Sequence, residues 1–502
     1  MAKKNKDQKE NSDLELQTII GNQITNGLGY LGGQLSDQRR KSLEYYLGDK
    51  LGTEIDGRSQ VVSTDVSDTI ESLLPNLLRV FTASDNVVRC EPMTAEDVPM
   101  ADQATAYLNH VFYKENNGFQ LLYNFFKDAL IEKNGFLKIY WDDSEKVDYE
   151  TYENLSPVEK EALQDTKDEI EIVDEEVFED EDAKEQFEAT LAQYEAQGMD
   201  VSQIQVPNFN LYNCKIKRIK KTGKVKIESV PPEEFLIERN AKTIDDADFV
   251  AHKVLMTRSD LVSMGYSQDE VDELPKSDLD IYNNEEIVRM RDIDNYNIST
   301  PTDSSTEKVL IYECYIKYDY DGDGIAELRK VVAAGSDGSH ILSNMPCDNI
   351  PFVTVTPIPM PHRFYGRSIS ELVEDVQLMK STVMRQLLDN MYLTNNNRVA
   401  IMDGMVNMDD LLTTRPGGIV RTKQPPNQVL QPLQAQPISQ QAFPLLSYLD
   451  SVREGRTGVS KEAQGLSPDT LNAKTATGVN ALMTQTQMRS ELIARVFAET
   501  GV

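Results

Sequence analysis

The side chains of this 502-residue chain whose spacing could bind a metal ion are Asp319, Asp321 and Asp323. They stand at alternate positions in the sequence DYDGDG, and Gly324 follows them. Oxygen ligands at alternate positions before a glycine are how a loop wraps a calcium ion. The pattern therefore raises a calcium-binding structural protein as one candidate class.

Two further positions weaken the calcium interpretation. Glu327 falls at the ninth position of such a loop, but the twelfth position, which needs a bidentate glutamate, is Lys330. Asp-Gly is also among the strongest short turn signals, so a hairpin tip without metal is the favoured alternative. We predict no cofactor, and calcium at Asp319, Asp321, Asp323 and Glu327 stays open.

No pattern typical of enzymatic chemistry accompanies this loop. The histidines are scattered along the chain, at His110, His252, His340 and His362. The sequence contains no HExxH metal motif, no GxxxxGK[ST] phosphate loop and no GxSxG nucleophile elbow. The prediction is a protein that is not an enzyme.

Net charge limits how this protein can meet nucleic acid. The chain has 83 acidic and 51 basic residues, for a formal net charge of −32. Proteins that grip DNA by releasing its counterions are normally basic. This acidity argues against tight, static DNA binding, but it does not exclude DNA that slides past a repelling surface.

Cysteine usage and hydropathy indicate the compartment. The four cysteines form no CxxC pair, which is typical of thiols in a reducing compartment and not of a disulfide framework or metal site. The polar N-terminus lacks the apolar core of a signal peptide. No window approaches 18 uninterrupted apolar residues, so no membrane span is predicted.

The chain is organised around residues 350–396, where an apolar, proline-rich run leads into a long helix. Ser368 is a good N-cap, and Glu371 three residues later completes a capping box. Apolar residues recur at helical spacing from Ile369 to Met391, which predicts a helix roughly 40 Å long. Such a helix is either the core of a large domain or a strut that is repeated around a ring.

Alternating patterns predict two β-hairpins. Residues 308–334 carry the DYDGDG sequence at their tip, and residues 210–230 turn at Thr222-Gly223. Lysines in the second hairpin form a local basic patch. They could bind phosphate, but we favour the interpretation that they neutralise the negative charge of the nearby acidic residues.

Residues 154–200 differ in composition from their surroundings. An acidic run covers 174–182, and helix-forming residues follow it. Charge blocks of this kind are usually solvated. We therefore predict a solvated helical insertion, with a docking surface for a basic partner as the second alternative.

Several stretches together resemble the portal proteins of tailed bacteriophages, the head-to-tail connectors, and in particular the podovirus type. The resemblance spans most of the chain in order. The stretches are GRSQVVSTDVSDTIESLLPNLLRVFT, KDALIEKNGFLKIYWD, VPPEEFLIERNAKTIDDADFVAHKVLMTRSDLVSMGY, YDYDGDGIAELRK, IPFVTVTPIPMPHRFYGRSISELVEDVQLMKSTVMRQLLDN and FAETGV.

The resemblance implies an α+β fold with a portal-type wing, a helical stem and a clip, built from long helices and antiparallel hairpins. The implied segments are a wing at 1–366 with the acidic insertion 154–200, a stem helix at 367–396, a clip at 397–437, a second stem helix at 438–456, a tunnel loop at 457–474, and a long helix at 475–502 that leads to a crown missing from this sequence.

The resemblance also implies a function. Portal proteins form a ring, usually a dodecamer, at the unique vertex of the capsid, and double-stranded DNA passes through it during packaging and ejection. The implied partners are further copies of the chain, the large terminase, the tail adaptor, and the major capsid and scaffolding proteins. The implied location is the virion, after assembly in the host cytoplasm.

Candidate functional residues follow from the same resemblance. Lys461 and Lys474 in the tunnel loop are candidates for steadying DNA in the channel, unless they are ordinary surface charges. Arg415, Arg421 and Lys423 in the clip are candidates for the interface with terminase.

Overall fold

A computed structural model describes most of the chain. The described residues are 2–50, 52–83, 87–143, 145–164, 169–196, 209–221, 223–275, 284–289, 303–396, 398–413, 415–433, 436–459 and 476–502.

The helices and strands alternate in an α+β arrangement, as the sequence predicts. The helices are α1 (Ala2–Tyr30), α2 (Ser36–Leu47), α3 (Asp65–Thr82), α4 (Val98–His110), α5 (Gly118–Glu132), α6 (Pro157–Gln164), α7 (Glu181–Ala196), α8 (Arg258–Ser263), α9 (Gln268–Asp272), α10 (Asn284–Arg289), α11 (Ser370–Asn395), α12 (Met408–Leu412), α13 (Pro426–Val429), α14 (Ser439–Thr457) and α15 (Ala476–Thr500).

The strands form four sheets with the orders β11-β1-β5, β10-β9-β8-β7-β6, β12-β13 and β2-β4-β3. They are β1 (Gly135–Asp142), β2 (Glu145–Leu155), β3 (Glu169–Glu179), β4 (Asn210–Lys221), β5 (Lys224–Val230), β6 (Phe235–Ile237), β7 (Phe249–Thr257), β8 (Lys308–Tyr318), β9 (Glu327–Ala334), β10 (His340–Pro346), β11 (Phe352–Val355), β12 (Arg398–Ile401) and β13 (Leu430–Leu433).

The chain divides into two compact units, and the smaller one, Ile139–Lys226, contains the acidic segment. In this unit β4 pairs with both β2 and β3, whereas β5 belongs to the sheet of β1 and β11. The predicted hairpin at 210–230 is therefore wrong, because its two strands lie in different sheets. The predicted helical insertion is also wrong in part, because the acidic run begins in a strand, β3.

Charge complementarity explains why β4 pairs as it does. Along β4, Lys217 Nζ lies 3.0 Å from Glu171 on β3, and Arg218 Nη2 lies 3.0 Å from Glu150 on β2. Opposite charges across strands stabilise a sheet and like charges destabilise it. A basic strand between two acidic strands satisfies this rule, and these contacts favour the charge-offset interpretation of the lysine patch.

The larger unit, Met1–Lys138 with Ile227–Val502, has a helical core. Buried side chains of α3, α5, α11 and α15 form one apolar cluster that includes Leu73, Phe126, Val373 and Phe497. The rings of Phe126 and Phe497 lie 4.9 Å apart between centroids. The last helix is thus joined to helices that precede it by hundreds of residues.

The five-stranded sheet of this unit contains the hairpin predicted at residues 308–334. Strands β8 and β9 pair antiparallel from Ile311 opposite Ala334 to Tyr318 opposite Glu327, which confirms the prediction. Helix α1 packs on this sheet through fully buried residues, among them Ile20 and Ile24. Among the described residues, no helix has both the length and the apolar character that crossing a membrane requires.

The organising helix α11 begins at Ser370, two residues after the predicted cap. Ser368 Oγ still accepts a hydrogen bond from the Glu371 N–H at 3.2 Å. The Glu371 carboxylate lies 2.9 Å from Lys133 Nζ, so this ion pair takes the place of the predicted reciprocal bond.

A cluster of buried carboxyl groups surrounds one arginine where α10 packs against α2. Arg289 Nη2 lies 2.8 Å from Glu132 and 3.0 Å from Glu233, and its Nη1 lies 3.5 Å from Asp128. Burial raises the pKa of Asp128 to about 6 and that of Glu285 to about 7, because nearby arginines offset the lost solvation only partly. The cluster contains more carboxyl groups than the nearby guanidinium groups of Arg289 and Arg39 can neutralise.

We predict that Glu285→Gln stabilises the protein at pH 8 and has little effect at pH 5. The folded protein binds this proton more tightly than the unfolded chain, so wild-type stability falls as the pH rises from 4.5 towards about 7. A shift of this size corresponds to at most about 3 kcal/mol. Thermal unfolding at both pH values measures it, with the exposed Glu91→Gln as control. Equal stabilisation at pH 5 and pH 8 would contradict the prediction.

Candidate functional site

Helices α11 and α14 form an antiparallel pair. At one end, Asn390 Nδ2 donates to the carbonyl of Gln436 at 2.9 Å, and Asn390 Oδ1 accepts from Ile438 N–H at 3.1 Å. At the other end, Arg456 Nη1 donates to the carbonyl of Leu372 at 3.1 Å. The two helices therefore run side by side over most of their length.

The segment between the two helices folds as a small excursion. Its strands β12 and β13 pair antiparallel, with Arg398 opposite Leu433 and Ile401 opposite Leu430. A further bridge joins Val406 and Thr422. The described residues between 398 and 437 thus leave the end of α11 and return to the start of α14.

A buried carboxylate joins both long helices to α3. Asp65, only 1% exposed, lies 2.7 Å from Lys380 Nζ on α11 and 3.0 Å from Arg453 Nη1 on α14. Lys380 Nζ also lies 2.8 Å from Asp450 on α14. Three helices from distant parts of the sequence meet at this carboxylate.

The local electrostatics keep this junction charged. Burial by itself lowers the pKa of Lys380, but hydrogen bonds to Asp450 and Asp65 outweigh it and hold the pKa above its usual value. Lys380 therefore stays protonated at neutral pH. An isolated buried charge costs several kcal/mol, so each member of this cluster requires the others.

The extended segment that precedes α3, together with the first turn of α3, follows α11 and binds a stripe of polar residues. The stripe consists of Gln377, Ser381, Arg385 and Asp389, each four residues from the next. Their partners are backbone groups of Val66 at 2.8 Å, Ser63 at 3.0 Å, Val61 at 2.8 Å and Ser59 at 2.8 Å, in that order.

The sequence did not lead us to predict this stripe, because helical periodicity was sought only among the apolar residues. Gln377 and Ser381 are fully buried, and Arg385 is nearly so. Residues four apart share one face of a helix, so the spacing of these polar residues was the available signal. The stripe contributes hydrogen bonds that fix the helix along its axis.

Most of the exposed apolar residues of α11 lie between Leu388 and Leu393. Val373 and Val376 are buried, whereas Leu388 and Met391 are exposed and Tyr392 is 71% exposed. The adjacent part of α14 exposes three more apolar residues, Phe443, Leu445 and Tyr448. Leu388, Met391 and Tyr392 share one face of α11 by their spacing, and exposed apolar surface of this kind usually marks an interface with another protein.

The structure brings the three predicted clip residues together on the excursion. Arg415 and Lys423 are exposed, and Arg421 forms a two-point ion pair with Asp410, with distances of 2.6 and 2.9 Å. Ile419 beside them is 82% exposed. This end of the molecule therefore presents cations next to apolar side chains.

The two predicted channel residues, Lys461 and Lys474, lie outside the described residues, as does most of the predicted tunnel loop. The structure resumes with α15, whose Ala476 start agrees closely with the predicted helix. The assignment of both lysines stays a prediction.

The DYDGDG sequence forms the exposed tip between β8 and β9. Carboxylate oxygens of Asp319, Asp321 and Asp323 lie within 4.8 Å of one another. Asp319 Oδ1 accepts from the Gly322 N–H at 2.7 Å, and its Oδ2 accepts from the Gly324 N–H at 2.8 Å. These bonds account for a stable turn.

Glu327 does not join this group. It stands at the start of β9, and its carboxylate lies 2.9 Å from Arg329 Nη1. Lys330 Nζ lies 2.7 Å from Glu313, so the twelfth position of the loop is a cation within the sheet. The three aspartates are brought together, but the carboxylate that would complete a calcium loop is not.

A comparison with protein families bears on the chain as a whole. The family described as Phage SU10 portal protein matches residues 16–502. The match includes both long helices, the excursion between them and the small acidic unit.

We predict that Asp65→Asn destabilises the protein by about 3 to 5 kcal/mol, because it leaves two buried cations without their shared carboxylate. Urea unfolding followed by circular dichroism measures the loss. Asp102→Asn removes an exposed carboxylate from α4 and is the control. A loss below about 1 kcal/mol, the value typical of a surface ion pair, would refute the role given to Asp65.

We predict that the DYDGDG tip binds calcium no more tightly than a dissociation constant of about 1 mM, since it lacks the bidentate twelfth ligand. Calorimetric titration with calcium chloride tests this, with Asp321→Asn as the comparison. Saturable heat in the wild type that disappears in the variant would establish the calcium site instead.

Proposed function

The chain belongs to the phage SU10 portal protein family, and from this premise we propose that it forms the channel for DNA packaging and ejection at the unique capsid vertex. The portal family is structural and not enzymatic, and its members are virion components. The observation that carries the proposal within this chain is the exposed apolar surface on α11 and α14.

A homo-oligomeric ring gives this apolar surface a partner. The side chains of Leu388, Met391, Tyr392, Phe443 and Tyr448 are exposed in a single chain. Burial of apolar surface is the dominant favourable contribution to most protein association. We propose that these side chains contact the neighbouring copy, and that the ring contains twelve copies.

The segments then take the following roles in the proposal. Residues 1–366 are the wing, α11 and α14 are the stem helices, and residues 397–437 are the clip. Residues 457–474 are the tunnel loop, and α15 is the helix that follows it in the sequence. The antiparallel pairing of α11 and α14 and the excursion between them support this division.

The net charge of the protein is consistent with a channel for DNA, because a channel must not bind the DNA tightly. A net charge of −32 repels phosphate, so DNA can pass without being bound. We propose that Lys461 and Lys474 supply a few positive charges that steady the duplex.

The clip end suits a protein partner. Arg415 and Lys423 are exposed there beside Ile419 and Leu412, and arginine next to apolar residues is typical of protein interfaces. We propose that this surface docks the large terminase during packaging and that the ring later seats the tail adaptor. Arg421 contributes less directly, since Asp410 already holds its guanidinium group.

The remaining proposed partners follow from the location at the vertex. They are the major capsid protein and the scaffolding protein, which would contact the ring during assembly in the host cytoplasm. Double-stranded DNA would pass through the centre without lasting contacts.

We predict that purified wild-type protein forms rings with a central hole in negative-stain micrographs, and that the double variant Leu388→Glu/Tyr392→Glu does not. The new carboxylates would stand in the contact between copies, where an unpaired charge loses its solvation. Native mass spectrometry gives the number of copies.

The control variant is Met93→Glu, which places the same charge on a residue that is 96% exposed and outside the stem. Circular dichroism checks that all three proteins fold. Rings formed by the double variant, or a monomeric wild type at high concentration, would refute the proposed stem contact.

A further inference from the structure

A cleft of about 600 Å³ lies where the loop that leads into α11 meets the start of α2. Its walls come from five places in the larger unit: the start of α2, the end of α5, the loop after β6, residues 360–367 and the first turn of α11. The proposed portal function assigns nothing to this cleft.

The charge of the cleft is opposite to that of the protein. Its lining contains four cationic side chains, Lys133, Arg239, Arg363 and Arg367, and two carboxylates, Glu238 and Glu371. The lining thus carries an excess of two positive charges in a chain whose net charge is −32. A concave cationic surface concentrates anions.

Lys133 is fixed in place at the inner end of the cleft. It is 7% exposed, and its backbone adopts a φ of 83°, which is rare for a residue other than glycine. Its Nζ lies 2.5 Å from Gln38 Oε1 and 2.9 Å from Glu371 Oε1. Strained backbone at a concave site is a frequent property of ligand-binding positions.

A buried cation lies behind the wall, where it also faces the carboxyl groups of Glu285 and Glu132. Arg39 is 1% exposed, and its guanidinium group lies 5.3 Å from the ring centroid of Tyr365, which lines the cleft. Its Nη1 donates to the carbonyl of Pro232 at 2.9 Å, while Nη2 makes no hydrogen bond to any described residue. The first turn of α11 also borders the cleft, and helix N-termini favour anions.

The loop that carries two of the arginines is held rigidly. Arg367 N–H donates to the carbonyl of Ile358 at 2.9 Å. A Cβ at Gly366 would stand 2.3 Å from that carbonyl oxygen, so only glycine allows this approach. Arg363 and Arg367 are therefore presented from a fixed backbone, so binding a ligand orders only their side chains.

We propose that this cleft is a binding site for a phosphate-bearing anion. A phosphate group carries about two negative charges and three acceptor oxygens, which matches the excess charge and the many N–H donors of the walls. The amide side chains of Gln34, Gln38 and Asn240 add neutral donors. A single carboxylate would leave most of these donors unused.

Calorimetric titration of the full chain with sodium pyrophosphate tests the proposal. We expect saturable binding of one anion per chain. The double variant Arg363→Gln/Arg367→Gln should bind at least about tenfold more weakly, because charge-assisted hydrogen bonds are lost. Both arginines are exposed, so the variant should fold. Arg79→Gln, which removes an exposed cation on α3, is the control and should bind like the wild type.

Parallel titrations with inorganic phosphate, a mononucleotide and a 20-base-pair duplex distinguish the source of the phosphate. Binding of any of these that the double variant weakens supports the site. Unchanged pyrophosphate binding in the double variant would overturn it, and so would an absence of binding by all four ligands. Binding of hexaglutamate alone would also overturn it and would indicate an acidic protein segment as the partner.

Discussion

The arrangement of this protein depends on one buried carboxylate that two cations share. Asp65 lies at the start of α3, and Lys380 and Arg453 approach it from α11 and α14. Apolar contacts alone would allow two long helices to slide past each other, since the hydrophobic effect has no direction. A buried charge has a partner at only one position, so it sets the axial register of the helices against each other and against α3.

Charge also organises the parts of the molecule that lie far from this junction. A chain with so many acidic residues repels itself unless local partners intervene. In the small unit, the basic strand β4 runs between two acidic strands. Around Arg289, burial raises the pKa of Asp128 and Glu285, so part of the negative charge is removed by protonation. The lining of the cleft beside α11 carries an excess of positive charge, opposite in sign to the protein as a whole.

The sequence predicted those elements whose signals are local. Helical periodicity located α11 and α15, and alternation with an Asp-Gly turn located the β8–β9 hairpin. The segment at 210–230 was misassigned because a turn signal does not reveal which strands pair, and here cross-strand charge favours β2 and β3. The buried stripe from Gln377 to Asp389 escaped notice because its partners are backbone groups of a distant segment. The cleft cations come from three separate regions, and no local pattern relates them.

The extended segment beside α11 has a mechanical consequence. Its contacts run from Ser59 at Asp389 to Ser63 at Ser381, parallel to the helix axis, and Val66 in the first turn of α3 continues them at Gln377. Tension applied along that axis would act on all these bonds in shear and at the same time, so none would break before the others were strained. Force on the far end of the helix would then be transmitted to the body of the protein through several hydrogen bonds that share the load.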